Sequence, residues 1–412
     1  MNETPASMTE TRTELPEHPM PRAAGCPFDP PPELSALRTT APLSRVRTWD
    51  GATPWLVTRH DHLRTLLRDS RLSADPSRAG YPHRNAGGKE SSRSPRSFIA
   101  MDDPEHARLR RMVTPPFAVR RIEAMRPRVQ RIVDGLIDDM LAGPNPVDLV
   151  EACALPLPSL VICELLGVPY ERHDFFERNT RVLVRRTSSP DDMRAASQAL
   201  ADYLEELVAA KRADPGDDLL SALATQQVES GALTQREAAA MGVLLLIGGH
   251  ETTANMIILG TLALLRNPGQ LALLRDTDDP SVVVTAVEEM LRYLTITHSG
   301  RRRVATADIT IGGQVIKAGD GLILANDAAN RDPEAFPDPD RLDLTRNARH
   351  HLAFGYGVHQ CLGQQLAHIE LQAVYGTLYR RLPGLAVAIG EDQLEFKHDG
   401  LVYGLYALPV TW

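Results

Sequence analysis

The chain has 412 residues and a formal net charge of −8 at neutral pH. It is long enough to bury a large cofactor and has no basic block to track phosphates, which excludes a nucleic-acid binder. Four cysteines, Cys26, Cys153, Cys163 and Cys361, are too few and too irregularly spaced for a disulfide framework and fit a reducing cytoplasm.

Residues 1–33, rich in Pro, Glu and Thr, offer little to bury and are expected to form a mobile tail, with 34–412 a single domain. That tail has no apolar core, so neither a signal peptide nor a membrane anchor is expected. Arg45–Trp49 and Trp55–Thr58 flank Asp50-Gly51 and predict a hairpin, followed by a short helix over Asp61–Arg68. From Arg71 to Ser97 the sequence turns polar, with Gly80, Gly87, Gly88, Pro82 and Pro95, and reads as a long mobile loop able to act as a lid. Asp102-Asp103-Pro104-Glu105 opens a helix on which His106 and Arg110 share one face, by itself an ordinary solvated one. Helical periodicity covers Arg120–Leu141, Leu149–Leu166, Glu171–Arg186 and Asp191–Arg212.

The longest helix starts at a Thr234/Glu237 capping box and runs to Arg266; about 32 residues at about 1.5 Å each must cross the core. Its apolar runs, 241–249 and 256–265, are each shorter than the roughly 18 residues of a membrane span. In its middle stands Gly248-Gly249-His250-Glu251-Thr252-Thr253. Two glycines cost about 1 kcal/mol each against alanine. Thr252 can return its hydroxyl to the Gly248 carbonyl and bend the helix. An acid in apolar surroundings, Glu251, is expensive unless it is paired or does chemistry.

Asp279-Pro280 opens a helix to Leu294 that carries Glu289 and Arg292, three apart on one face. Arg303–Ile323 reads as strands, with Ile309–Ile311 and Val315–Ile316 paired around Gly312-Gly313. The run Phe354-Gly355-Tyr356-Gly357-Val358-His359-Gln360-Cys361-Leu362-Gly363 puts a lone cysteine on a glycine hinge before the helical pattern Leu366–Leu382. A helix N-terminus lowers a thiol pKa and favours a metal-ligating thiolate, although a single cysteine is more often a small buried hydrophobe.

FGxGxHxCxG resembles the haem-binding loop of the cytochrome P-450 family, and four further motifs occur in that family's order. DDPEHxxxR resembles its C helix, GGHET its (A/G)GxET motif and Glu289–Arg292 its ExxR pair, while Arg303 before Val304-Ala305-Thr306 matches a propionate ligand. The resemblance implies a mainly α fold with a smaller β region, clasping haem b (iron protoporphyrin IX) between the long helix and the cysteine helix. It makes Cys361 the thiolate ligand of the iron, with Phe354 and Gly355 beside it and His106, Arg110, Arg303 and His359 on the propionates. It gives Glu251 and Thr252, on an opened helical turn, the delivery of protons to dioxygen, and makes Glu289, Arg292 and Arg341 structural. Electrons would come from NAD(P)H through a ferredoxin reductase and a ferredoxin docking near Arg108, Arg111 and Arg349 of a monomeric enzyme. The expected substrate is a large apolar compound, a macrolide-like metabolite or a xenobiotic, bound by Leu245, Leu246, Gly249, Ile296 and Thr297. A peroxide-driven relative would lack the acid and alcohol, and a non-catalytic haem sensor would have no use for them.

Overall fold

The long helix, Gln235–Leu265, is where local sequence and global packing meet. Thr234 accepts the Glu237 N–H while the Glu237 side chain accepts the Thr234 N–H, so the expected capping box is present. Every residue from Ala254 to Leu264 is buried, because a helix apolar on all sides has no face to give to water. Among the described residues it is the one helix long and apolar enough to cross a membrane, and 67% of that apolar window is buried inside the protein. The computed structural model describes residues 14–23, 25–91, 97–184, 187–398 and 400–412.

Helices Pro156–Leu166, Pro190–Ala213, Pro280–Leu294 and Gln364–Arg381 pack around the long helix. Gly260 makes room for one of these neighbours. A Cβ there would stand 1.9 Å from the Tyr375 hydroxyl, which donates to the Met256 carbonyl. The helix following Cys361 is thereby locked against the long helix.

The expected hairpin forms from Leu43–Arg45 and Trp55–Val57. It extends into a five-stranded sheet through Gly321–Leu324, Arg301–Ala305 and Leu72–Ser73. The predicted pair Ile309–Ile311 and Gln314–Ile316 is a separate two-stranded ribbon. A third small sheet joins Val147–Asp148, Pro409–Thr411 and Ala386–Val387. The architecture is mainly helical with a small sheet region, as expected.

Two segments differ from expectation. Residues 1–13 of the anticipated tail lie outside the described residues, but the described part of 14–33 is packed. Met20 and Phe28 are buried, Arg22 stacks on the Tyr403 ring at 4.0 Å and Asp29 pairs with Arg331 at 3.3 Å. These anchors stand singly among prolines, so no periodicity announces them. The region expected as an irregular loop begins as the edge strand Leu72–Ser73 and includes a short helix, Ala86–Ser91; residues 92–96 lie outside the described residues.

Candidate active site

The cysteine loop is held at both ends. Asn326 donates to the Leu352 carbonyl (2.6 Å), the Leu352 N–H donates to Asn330 Oδ1 (2.7 Å) and the Cys361 N–H donates to the Phe354 carbonyl (2.9 Å). Gly355 and Gly357 both have φ +74°, and a Cβ on Gly357 would lie 2.3 Å from the Leu67 carbonyl oxygen. Only glycine meets both demands. Gly363 caps the helix Gln364–Arg381, and a Cβ there would meet nothing within 4 Å. The Cys361 side chain is exposed to that space. Burial by the surrounding atoms nevertheless pushes its thiol pKa up, against the pull of the Gly363 N–H, Arg301 and Arg110. The Gly363 N–H and the two guanidiniums are the groups that favour a thiolate here, as the helix-terminus reading expects.

Beside the sulfur stands a cluster of cationic and imidazole groups. His106 is buried with Nδ1 3.1 Å from Asp103, and its ring centroid lies 4.1 Å from that of His359. His106 Nε2 and His359 Nδ1 are buried without a hydrogen-bond partner. Arg110 donates to the Gln360 carbonyl (2.7 Å) and Arg303 to the Arg302 carbonyl (2.7 Å). Arg301, two residues before Arg303 and so on the same face of the strand, donates to the Ala353 carbonyl (3.3 Å) and has a buried Nε without a partner. Burial and then Arg303, His106 and Arg110 push His359 down to about 3, and burial and then Arg303 push Arg301 down to about 10. Three guanidiniums whose side chains reach only backbone carbonyls among the described residues make a site suited to an anion. Arg303 and its neighbour Arg301, which the run Arg301-Arg302-Arg303 left as an alternative register, both lie on this face.

On the long helix, Gly248 is exposed and a Cβ there would meet nothing within 4 Å, while Leu244 and Thr252, one turn either side, are half-buried. Gly248, rather than Leu245, Leu246 or Gly249, borders open space. Leu245 and Leu246 belong to the packed core, and Gly249 is pressed against Ile162, where a Cβ would come within 3.0 Å. The helical advance of about 100° per residue separates the two rows. The Thr252 hydroxyl donates to the Gly248 carbonyl (2.7 Å), and the helix runs through this turn without the expected opening. Glu251 is buried, 3.1 Å from Asn255 Nδ2 and 3.4 Å from Lys397 Nζ. Burial pushes its carboxyl pKa up, but Lys397, His250 and Asn255 pull harder and hold it below the ordinary range. Ile296 is buried with its carbonyl on the Tyr403 N–H (2.8 Å), and Thr297 is half-buried.

The family model for cytochrome P-450 matches residues 171–383. GfsF, a cytochrome P-450 of Streptomyces halstedii, is 59% identical over 401 residues, 97% of each chain. The chain belongs to the cytochrome P-450 family. The crystal structure of GfsF matches this P-450 with a TM-score of 0.91 over 96% of this chain and 100% of that one. The 20-oxo-5-O-mycaminosyltylactone 23-monooxygenase of Streptomyces fradiae is 42% identical over 95% of this chain and 92% of that one. The structure of the mycinamicin VIII methyl hydroxylase MycCI from Micromonospora griseorubida, bound to mycinamicin VIII, is 41% identical with a TM-score of 0.91, covering 97% and 100%. The protein is thus a monooxygenase whose cofactor is haem. The residues present fit that group: two orphaned imidazole nitrogens and three guanidiniums could hold its acidic side chains, and Gly363 and Gly248 leave open space beside the cysteine helix and the long helix.

Behind the P-450 site, Glu289 and Arg292 are fully buried and bonded in a fork at 2.7 and 2.8 Å. The third arginine is Arg346, whose Nε lies 3.1 Å from Glu289, and not the expected Arg341. Arg341 is exposed and contributes only its carbonyl, because the turn Asp343–Arg346 folds the later guanidinium back onto the acid. Phe354 lies between the rings of His351 and His368, at 5.8 and 5.2 Å. Both histidines face Glu288, at 3.1 and 3.3 Å, and although burial pushes its carboxyl up, they hold it at about 2. Of the three arginines expected at a partner-docking face, Arg108 is paired to Glu105 (2.9 Å), whereas Arg111 and Arg349 are exposed.

Glu370, on the cysteine helix, is buried with Thr253 Oγ1 3.3 Å away, and burial pushes its carboxyl up to about 8. The folded chain therefore keeps a proton that the unfolded chain releases near pH 4.3. The unfolded state binds fewer protons between that pH and about 8, so stability falls as pH rises through this window, on the order of a few kcal/mol in all. Glu370→Gln is expected to flatten that fall in urea melts compared at pH 5 and pH 8; parallel curves for the two proteins would refute it.

Proposed function

We propose that this P-450 hydroxylates or epoxidises a large apolar secondary metabolite of the macrolide or polyketide type, or a xenobiotic of similar size. Its dioxygen is activated with electrons from NAD(P)H, delivered by a ferredoxin reductase and a ferredoxin to a monomeric, cytoplasmic enzyme holding haem b. One observation carries the reading: an exposed cysteine sulfur neighboured by Arg110 and Arg301, with a helix that exposes Gly248 and carries Glu251 and Thr252. Bound there, haem supplies the dioxygen binding and the oxygen-insertion chemistry.

The chain's own groups have separate tasks. Cys361 ligates the iron, and Phe354, steadied between two histidines, shields the sulfur. His106, Arg110, Arg303 and His359, joined by Arg301, would hold the propionates through charge-assisted hydrogen bonds. Leu244, Gly248, Ile296 and Thr297 line the substrate side. Thr252 and Glu251 pass protons inward. Arg111, Arg349 and the exposed Val358 of the cysteine loop form the docking face for an acidic ferredoxin.

The macrolide class draws on the names of the S. fradiae and M. griseorubida relatives. Reconstitution with a ferredoxin, its reductase and NAD(P)H, against a panel of macrolides, terpenoids and drug-like compounds, should give a product that incorporates heavy-isotope dioxygen. Equal turnover with peroxide alone would favour a peroxygenase, and haem without product under any donor a non-catalytic role.

A further inference from the structure

Two of the three non-glycine residues with positive φ among the described residues, Thr295 (+37°) and Ser299 (+63°), stand in the run Thr295–Gly300. Left-handed backbone is costly for a residue with a β-carbon and persists only where the surroundings impose it. The run joins the helix Pro280–Leu294 to the strand Arg301–Ala305, so it passes beside the cationic cluster that Arg301 and Arg303 help to build. Its tip is Thr297, half-buried at the centre of a three-residue turn that the His298 N–H closes on the Ile296 carbonyl (2.9 Å).

What imposes this shape comes from elsewhere in the chain. The Ile296 carbonyl also accepts the Tyr403 N–H (2.8 Å), and His298 Nε2 lies 2.8 Å from the Gly400 carbonyl oxygen. The Ser299 carbonyl oxygen stands 3.3 Å from His18 Nε2 and accepts from Arg302 Nη1 (3.2 Å), while the Gly300 carbonyl accepts from Arg84 Nη2 (3.2 Å). Between the run and the N-terminal arm lies a cleft of about 340 Å³ whose walls include His18, Arg22, His298, Ser299 and Asp327. On that side the run therefore rests on discrete contacts rather than on continuous packing.

The arm supplies two of those contacts. One is His18 itself. The other is Arg22, whose guanidinium lies 4.0 Å from the centroid of the Tyr403 ring; Phe396, stacked at 5.8 Å, and His298 and His398, each at 5.6 Å, also surround that ring. Arg22 thus reaches the Ile296 carbonyl through Tyr403. The arm is fixed to the body in turn: the His18 N–H donates to the Arg47 carbonyl and the Arg47 N–H to the Pro16 carbonyl, 2.8 Å each, and Asp29 pairs with Arg331.

Resting on the monooxygenase reading, we propose that His18 and Arg22 are specificity-positioning residues. From the N-terminal arm they hold Ile296–Ser299 in its strained shape as one wall of the substrate space, so that the wall is set for a large apolar compound before that compound binds. A ligand small enough to sit on the iron alone does not feel this wall; a bulky one does.

The test is the ligand-induced Soret shift of the haem-loaded enzyme, titrated with imidazole and with clotrimazole, a bulky apolar azole, beside urea melts of the same proteins. In Arg22→Met and in His18→Leu the clotrimazole Kd is expected to rise about tenfold while the imidazole Kd moves by less than about twofold. Arg22→Lys, which keeps a cation over the Tyr403 ring, should stay close to wild type. Either of the first two variants suffices if the other does not fold. Equal changes for the two azoles, or no change for either, overturn the proposal. A wild type without a Soret shift on imidazole would defeat the haem reading instead; amide exchange at residues 296–300 then decides the role of the arm, faster exchange in the variants supporting it and unchanged exchange overturning it.

Discussion

Replacing Arg292 by alanine is expected to destabilise the protein by about 3–5 kcal/mol, the range for removing one partner of a buried ion pair. All five guanidinium donors are in use: Nε and Nη2 grip Glu289, Nη2 also reaches the Arg341 carbonyl at 3.4 Å, and Nη1 donates to the carbonyls of Asn330 and Pro339 at 2.8 Å each. Truncation leaves Glu289 charged with no exposure to water, held only by Arg346 and the Asp343 N–H. It also releases Asn330, which fixes the start of the cysteine loop through Leu352. Lysine supplies a charge but not the planar fork, so Arg292→Lys should recover little. Arg346→Ala, at the rim of the same network, should cost clearly less. Urea unfolding of the three variants checks the order; an Arg292→Ala midpoint equal to that of Arg346→Ala would refute the argument.

Thr252→Ala should fold and bind haem like wild type while the yield of product per NAD(P)H falls roughly tenfold or more. A positioned proton donor is worth about 10²–10⁴ in rate. Among the described residues the hydroxyl's hydrogen bond is to a carbonyl of its own helix, so its loss breaks no tertiary hydrogen bond there. Electrons that no longer meet a proton at the right place should leave as hydrogen peroxide. Thermal unfolding and the haem spectrum report the unchanged part, and peroxide and product are counted against NAD(P)H consumed. Full coupling in this variant would remove Thr252 from the relay.

Much of this was readable from local sequence, because local chemistry decides it. Asp50-Gly51 announced the hairpin, Thr234 and Glu237 the start of the long helix, and the glycines at 355 and 357 a loop whose φ angles no other residue takes readily. What escaped was settled by distance along the chain or by which side of an element looks outward. Arg346 displaced Arg341 because a turn selects between guanidiniums five residues apart. Leu245 and Leu246 sit in the core because the helical row left uncovered at Gly248 is fixed by what packs on the other rows. Lys397 meets Glu251 from 146 residues away, with no periodicity to foretell it.

The central claim, a haem iron held by the Cys361 sulfur, is tested most directly by the carbon monoxide spectrum of the purified, dithionite-reduced protein. The account predicts the strongly red-shifted Soret band of thiolate coordination in wild type and its disappearance in Cys361→Ala. A wild-type band at the position typical of histidine-ligated haem, or a red-shifted band that survives the loss of Cys361, would contradict it.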